Sequence, residues 1–176
     1  MRRRILAEPS APDKTNRCAK HPKGDGMILP VVAILKEICE KGRKYLWPKP
    51  KVCPCCKAGR LWGHGFVCAY FDEEPEGVYL RRYRCPDCGC VVRLKPAGYF
   101  KRFQSSIATI RSCVCGRSDK ARSLTMVSRT REAHWVKALK RKAKAYLGNF
   151  FGGDFPEAFD RLWGMGKIPV SRSMQC

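Results

Sequence analysis

Two cysteine pairs carry the clearest chemistry in this chain. Cys53-Pro54-Cys55-Cys56 and Cys85-Pro86-Asp87-Cys88-Gly89 each set two thiols three residues apart, and 28 residues separate Cys56 from Cys85. A tight turn aims two such thiols at one ion, and two turns joined by a hairpin complete a tetrahedron with zinc–sulfur bonds of about 2.3 Å. Proline at the second position of each turn fixes φ, and Gly89 permits a positive φ just past the second pair. The expected cofactor is Zn2+, held by Cys53, Cys56, Cys85 and Cys88. Cys55 competes with Cys56, but a C-x-C bite is tighter than C-x2-C, which favours Cys56.

The other thiols and imidazoles read as structural. His64 and Cys68 lie in a strand-like run, and Cys90 alternates away from the second turn. Cys113 and Cys115 sit near an expected helix end. A second site there needs two more ligands, from Cys39, Cys18, Cys176 and His134.

The elements that must position the four thiols are short. Strand-like runs at Leu61–Phe71, Val78–Arg84 and Cys90–Lys95, with turn chemistry at Asp72–Gly77, predict a three-stranded zinc ribbon over residues 48–96. So few residues bury little apolar surface, so the metal is expected to supply much of the folding energy. Pro30–Lys41 reads as a helix with Pro30 at its first position, Gly42 past its end and a stripe of Val31, Ile34, Leu35 and Ile38. Residues 27–47 therefore form an N-terminal helix and connector. Residues 97–148 form a basic helical part, with helices at about Lys101–Val114 and from a capping Ser128 to Leu147, and Gly148 beyond. Lys120–Leu124 reads as a short helix between them. Residues 149–176 hold one short helix, Glu157–Trp163, and a tail after Lys167 expected to lack order. Residues 1–26 show almost no apolar periodicity. They read as a disordered tail or as sequence upstream of a start at Met27, because Lys23-Gly24-Asp25-Gly26 requires a purine-rich coding tract similar to a ribosome-binding site. The expected class is α+β: a three-stranded ribbon flanked by an N-terminal helix and a C-terminal, helix-turn-helix-like part.

Charge narrows the partner. The chain has 36 Lys and Arg against 15 Asp and Glu, a net charge of +21. Such a balance implies a polyanionic partner, most often nucleic acid. The excess is uneven: residues 97–148 hold 13 Lys and Arg but only Asp119 and Glu132 as acids. Two acids do not make the carboxylate cluster that two-metal nucleotidyl transfer requires, and no P-loop or nucleophile elbow is present, so no enzymatic activity is expected. Twelve cysteines without a readable signal peptide point to metal-bound thiolates in a reducing cytoplasm.

Several resemblances emerge from these runs. Ser128 to Leu139 is similar to the recognition helices of helix-turn-helix transposases and invertases, with a capping Ser, a polar first turn and Trp135 seven residues after the cap. That similarity implies that Arg129, Arg131, Glu132 and Lys137 face a DNA groove, with Lys140, Arg141 and Lys144 on the basic flank. The plain alternative is an amphipathic structural helix with a solvated basic face. Trp47-Pro48-Lys49-Pro50, the first cysteine turn, Leu61–Gly65, Leu80–Gly89 and Lys101–Ile107 resemble an uncharacterised bacterial zinc-ribbon family, itself similar to the N-terminal ribbons of insertion-sequence transposases. The resemblance implies a zinc ribbon with a DNA-binding helical part, linked to mobile elements. Two C-x2-C pairs also describe rubredoxin, an iron electron carrier, but rubredoxins are acidic and this chain is basic. The expected function is non-catalytic DNA binding. The alternatives are a zinc-dependent adaptor for a transposase or polymerase, and an RNA binder stacking bases on Trp62, Phe66, Tyr79 and Tyr83.

Overall fold

The computed structural model describes residues 27–116, 127–148 and 152–173. Among these, four strands and four α-helices form an α+β fold: β1 (Met27–Val31), α1 (Leu35–Lys41), β2 (Trp62–Phe71), β3 (Glu74–Arg84), β4 (Val91–Pro96), α2 (Ile107–Cys115), α3 (Arg129–Leu147) and α4 (Phe155–Gly164). None of the described helices is long and apolar enough to cross a membrane. The expected helix at Lys120–Leu124 and the whole of residues 1–26 lie outside the described residues.

The sheet has four strands in the order β1-β4-β3-β2, with β1 parallel to β4 and the other pairs antiparallel. Strands stand at β2, β3 and β4, where three were expected, and β1 makes the sheet four-stranded rather than three-stranded. The helix expected over Pro30–Lys41 is thus corrected: its first residues form a strand, and the helix begins only at Leu35. The spacing of Val31, Ile34, Leu35 and Ile38 is helical, but only Leu35 and Ile38 fall in the helix; Val31 ends β1, and Ile34, the helix N-cap, is exposed. The β-branched Val31 finds a partner strand at Pro96, and Pro30 is tolerated because β1 lies at a sheet edge, where one side of the strand makes no ladder bonds. Gly42 ends α1 as expected, with φ +52°. Asp72 and Glu73 alone turn the β2–β3 hairpin; Phe71 pairs with Glu74, so the expected turn residues from Glu74 to Gly77 belong to β3.

The helix expected from Lys101 starts instead at Ile107, capped by the Ser106 hydroxyl, which accepts from the Thr109 N–H. The preceding carbonyls are already taken. Lys95 Nζ donates to the Phe100 and Phe103 carbonyls at 2.7 and 2.6 Å, and the Gly98 carbonyl accepts from the Ile107 N–H. Arg102 takes a left-handed backbone, φ 65°, which a helix cannot contain. Ser128 caps α3 and Asp154 caps α4. The tail after Lys167, expected to lack order, packs as far as Ser173: Val170 is buried, and Lys142 Nζ donates to the Ile168 carbonyl and the Ser171 hydroxyl at 2.7 and 2.6 Å.

Three apolar clusters hold these elements. Ile110, Val114, Trp135, Leu139, Phe159 and Leu162 join α2, α3 and α4. In the hairpin, alternate residues feed opposite sheet faces. Val78 and Leu80 pack with Ile38 of α1 and with Phe71 on one face. Tyr83 packs with Val92, Leu94 and Leu61 on the other, beneath the first cysteine turn.

Candidate metal centre and basic helix face

The two cysteine turns fold alike. In the first, the Lys57 N–H bonds to the Cys53 carbonyl at 2.9 Å and the Cys53 N–H bonds to the Ala58 carbonyl at 2.8 Å. In the second, the Gly89 N–H bonds to the Cys85 carbonyl at 3.0 Å and the Cys85 N–H bonds to the Cys90 carbonyl at 2.9 Å. Each turn places its fifth residue in the left-handed region, Lys57 at φ 64° and Gly89 at φ 72°. Sequence reasoning identified Gly89 and missed Lys57. The signal was available, because both stand four residues after the first cysteine of their turn.

The turns bring Cys53, Cys56, Cys85 and Cys88 together, with all four sulfurs within 4.8 Å of one another. The Cys53–Cys88 and Cys56–Cys85 sulfurs are 3.7 and 3.5 Å apart. A tetrahedral thiolate site with bonds of about 2.3 Å has ligand sulfurs about 3.8 Å apart, so the four residues fit one metal ion. Cys53 and Cys85 are fully buried, while Cys56 and Cys88 face outward. The outcome matches the C-P-x-C spacing: Cys55 and Cys90 are left out of the set and pack beside the ribbon core.

The electrostatics of the cluster explain why it calls for a cation. Burial pushes the Cys53 thiol up, but N–H groups of Cys56 and Cys55 and the neighbouring thiols outweigh it and bring it down to about 7. Cys56 receives the Ala58 N–H, which acts downward, yet burial and the three other sulfurs push it up to about 12. Cys88 is likewise pushed up to about 12, by burial first and then by Cys53 and Cys85. Four thiols this close cannot all ionise alone; a bound dication would supply the missing charge. The N–H groups aimed at the sulfurs are the outer-shell donors that such sites use.

His64 and Cys68 lie on β2 and are not among the clustered residues, and Cys113 is buried in the helical core. Among the described residues no other group of cysteines, histidines or carboxylates is arranged to hold a metal.

The expected nucleic-acid residues divide by helical angle. At about 100° per residue, Arg129, Lys137, Lys140, Arg141 and Lys144 fall within about 120° of arc on α3, and all five are exposed. Arg131 falls on the other side, with Trp135 and Ala138, which are buried. Its guanidinium donates to both Asp72 carboxylate oxygens, at 2.9 and 2.7 Å, and so ties α3 to the hairpin. Arg141 is also engaged, donating to the Arg172 carbonyl. Lys140 lies 5.6 Å from the centre of the Phe155 ring. Of the four aromatics expected to stack bases, Trp62 is 61% exposed and Tyr79 38%, while Tyr83 is buried. They do not share a surface: Trp62 pairs with Arg84 and Phe66 with Arg81, three residues along β3 and hence on the opposite face.

No protein-family model, no curated protein and no solved structure matches the chain.

Proposed function

We propose that this chain is a zinc-ribbon protein that binds duplex DNA through the outer face of α3 and acts by binding rather than by catalysis. The observation that carries the reading is the clean arc of Arg129, Lys137, Lys140 and Lys144, all exposed on a 19-residue helix. Glu132, the helix's single acid, lies off that arc. An α-helix of this kind fits the major groove of B-form DNA, and lysines and arginines along it neutralise phosphates on either side. The metal centre stiffens the ribbon, and the Arg131–Asp72 pair ties the ribbon to α3. Zinc is favoured over iron by the basic charge of the chain. The link to a transposase or another mobile-element protein rests on the motif resemblance alone.

The test is anisotropy on labelled duplex at several salt concentrations. Log affinity should fall with log salt by about 0.9 per phosphate neutralised. Lys140→Ala and Lys144→Ala should each weaken binding to all sequences and lower that slope by about 1. If the wild type does not bind duplex even at low salt, the DNA reading fails, and a protein adaptor takes its place.

A further inference from the structure

Past the residues that α1 covers, the same sheet face concentrates positive charge at the end nearest the metal centre. Antiparallel partners point to the same face, and the register sets Arg82 directly opposite Arg93, with Arg84 beside them and paired to Trp62. Val78 and Leu80, earlier on β3 and on the same face, are covered by α1; past them the strand turns from apolar to cationic. Like charges directly across a strand pair are unfavourable. Among the described residues, none of the three guanidinia has a carboxylate within ion-pair distance. The Arg82 Nε is buried and has no hydrogen-bond partner among them. Lys95, two residues beyond Arg93, registers the same field: burial, and then the Arg93 charge, bring its ammonium down to about 8. Trp62, 61% exposed, is the aromatic surface beside this charge.

From this juxtaposition of Arg82, Arg84 and Arg93 with an open Trp62, we propose that this face binds a single nucleic-acid strand. The guanidinia take successive phosphates, and one unpaired base stacks on the Trp62 indole. A strand fits better than a duplex. The indole needs a free base face, which a duplex keeps stacked, and a flat sheet surface does not enter a groove as α3 does. The site is separate from the outer face of α3 and does not depend on the duplex reading. One binder can therefore hold a duplex and a strand at once, as a partly melted site or a strand end presents them.

The experiment uses the full metal-loaded chain and a labelled 20-nucleotide oligothymidine, followed by anisotropy and by tryptophan fluorescence. Trp62→Ala should weaken strand binding by roughly tenfold, within the range that loss of one stacked base gives, and should remove the fluorescence quench. Trp62→Phe should recover part of the affinity. The double variant Arg84→Gln, Arg93→Gln should lower the salt slope by about 1.4, at about 0.7 per phosphate on a single strand. Arg84 is exposed, and neither Arg84 nor Arg93 has a buried, unpartnered nitrogen of the kind Arg82 has, so these variants should keep the fold, which metal content and a melting curve verify. Lys140→Ala with Lys144→Ala should leave oligothymidine binding unchanged while weakening duplex binding. The proposal is overturned if the arginine variant binds oligothymidine with wild-type affinity and slope. It is overturned equally if Trp62→Ala leaves affinity and quench intact, or if duplex quenches Trp62 as strongly as the strand does.

Discussion

Arg131 and Asp72 stand 59 positions apart in the chain, yet the guanidinium donates to both carboxylate oxygens, and the Ser105 hydroxyl bonds to the same carboxylate. The pair spans the ribbon and the helical part. The sequence leads one to expect Arg131 among groove-facing residues; the geometry makes it a strut. With side-chain exposures of 40% and 19%, the pair is partly screened, so a double-mutant cycle of Arg131→Ala and Asp72→Ala should give a coupling of about 0.5–1.5 kcal/mol. Neither variant should alter discrimination between DNA sequences. A selective loss at one base position in Arg131→Ala would restore the base-reading role.

The metal prediction follows from the separate cores. Purified protein should contain one zinc per chain by elemental analysis, and Cys85→Ser should lose it. Chelation should melt the β-sheet, because the Cys53, Tyr83 and Leu94 cluster sits directly under the sulfurs. The α2–α3–α4 cluster contains none of the four ligands. Helical ellipticity should therefore outlast the sheet signal as chelator is added. A red, iron-loaded protein would point to electron transfer instead.

Lys57 supplies a stability test with an unusual sign. A non-glycine residue held at φ 64° costs about 1 kcal/mol relative to glycine. Lys57→Gly should raise the melting temperature of the metal-bound protein. Gly89→Ala should lower it by a similar energy, through backbone strain alone, since a Cβ there has no atom within 4 Å. Thermal unfolding of the two variants side by side reads both effects.

Lys95 joins β4 to the loop before α2. Lys95→Met removes the ammonium that faces the rings of Phe71 and Tyr99 and leaves the Phe100 and Phe103 carbonyls without their donor. It should destabilise by about 2–4 kcal/mol near neutral pH. The pH dependence has a definite sign. The folded-state ammonium titrates near 8, below its ordinary 10.5, with burial as the main cause. Between those values the unfolded chain holds more protons, so this residue's contribution to stability rises with pH across that window and is flat below it. Comparing wild type with Lys95→Met by denaturant titration from pH 7 to 10.5 isolates that contribution.

Local chemistry was readable where one residue type decides one geometry. The C-P-x-C turns, the Ser128 cap and the ends of α1 and α3 at Gly42 and Gly148 all stand where the sequence places them. Pairings between distant segments were not readable. Val31 stands at helical spacing from Leu35 and Ile38, and only the pairing of Met27–Val31 with β4, 65 positions away, places it in a strand. The start of α2 was misplaced for a similar reason, since nothing near Lys101 reveals that Lys95 will claim the carbonyls of its first turn. Val170 looked like tail sequence because its partners lie on α3, with Lys142 some thirty residues upstream.

The parallel pairing of β1 with β4 has a kinetic consequence. Met27 meets Val92 across 65 positions, whereas β2 and β3 are joined by two turn residues. Loop-closure entropy and contact order therefore set a sequence of events: the hairpin zips first, the cysteine turns at its base come into range of one ion, and β4 adds next. β1 leaves the ribosome before any of these strands, yet it has no partner until all of them have formed. It docks last of the four strands, and until β4 has emerged and paired Met27–Val31 is an apolar strand awaiting its edge.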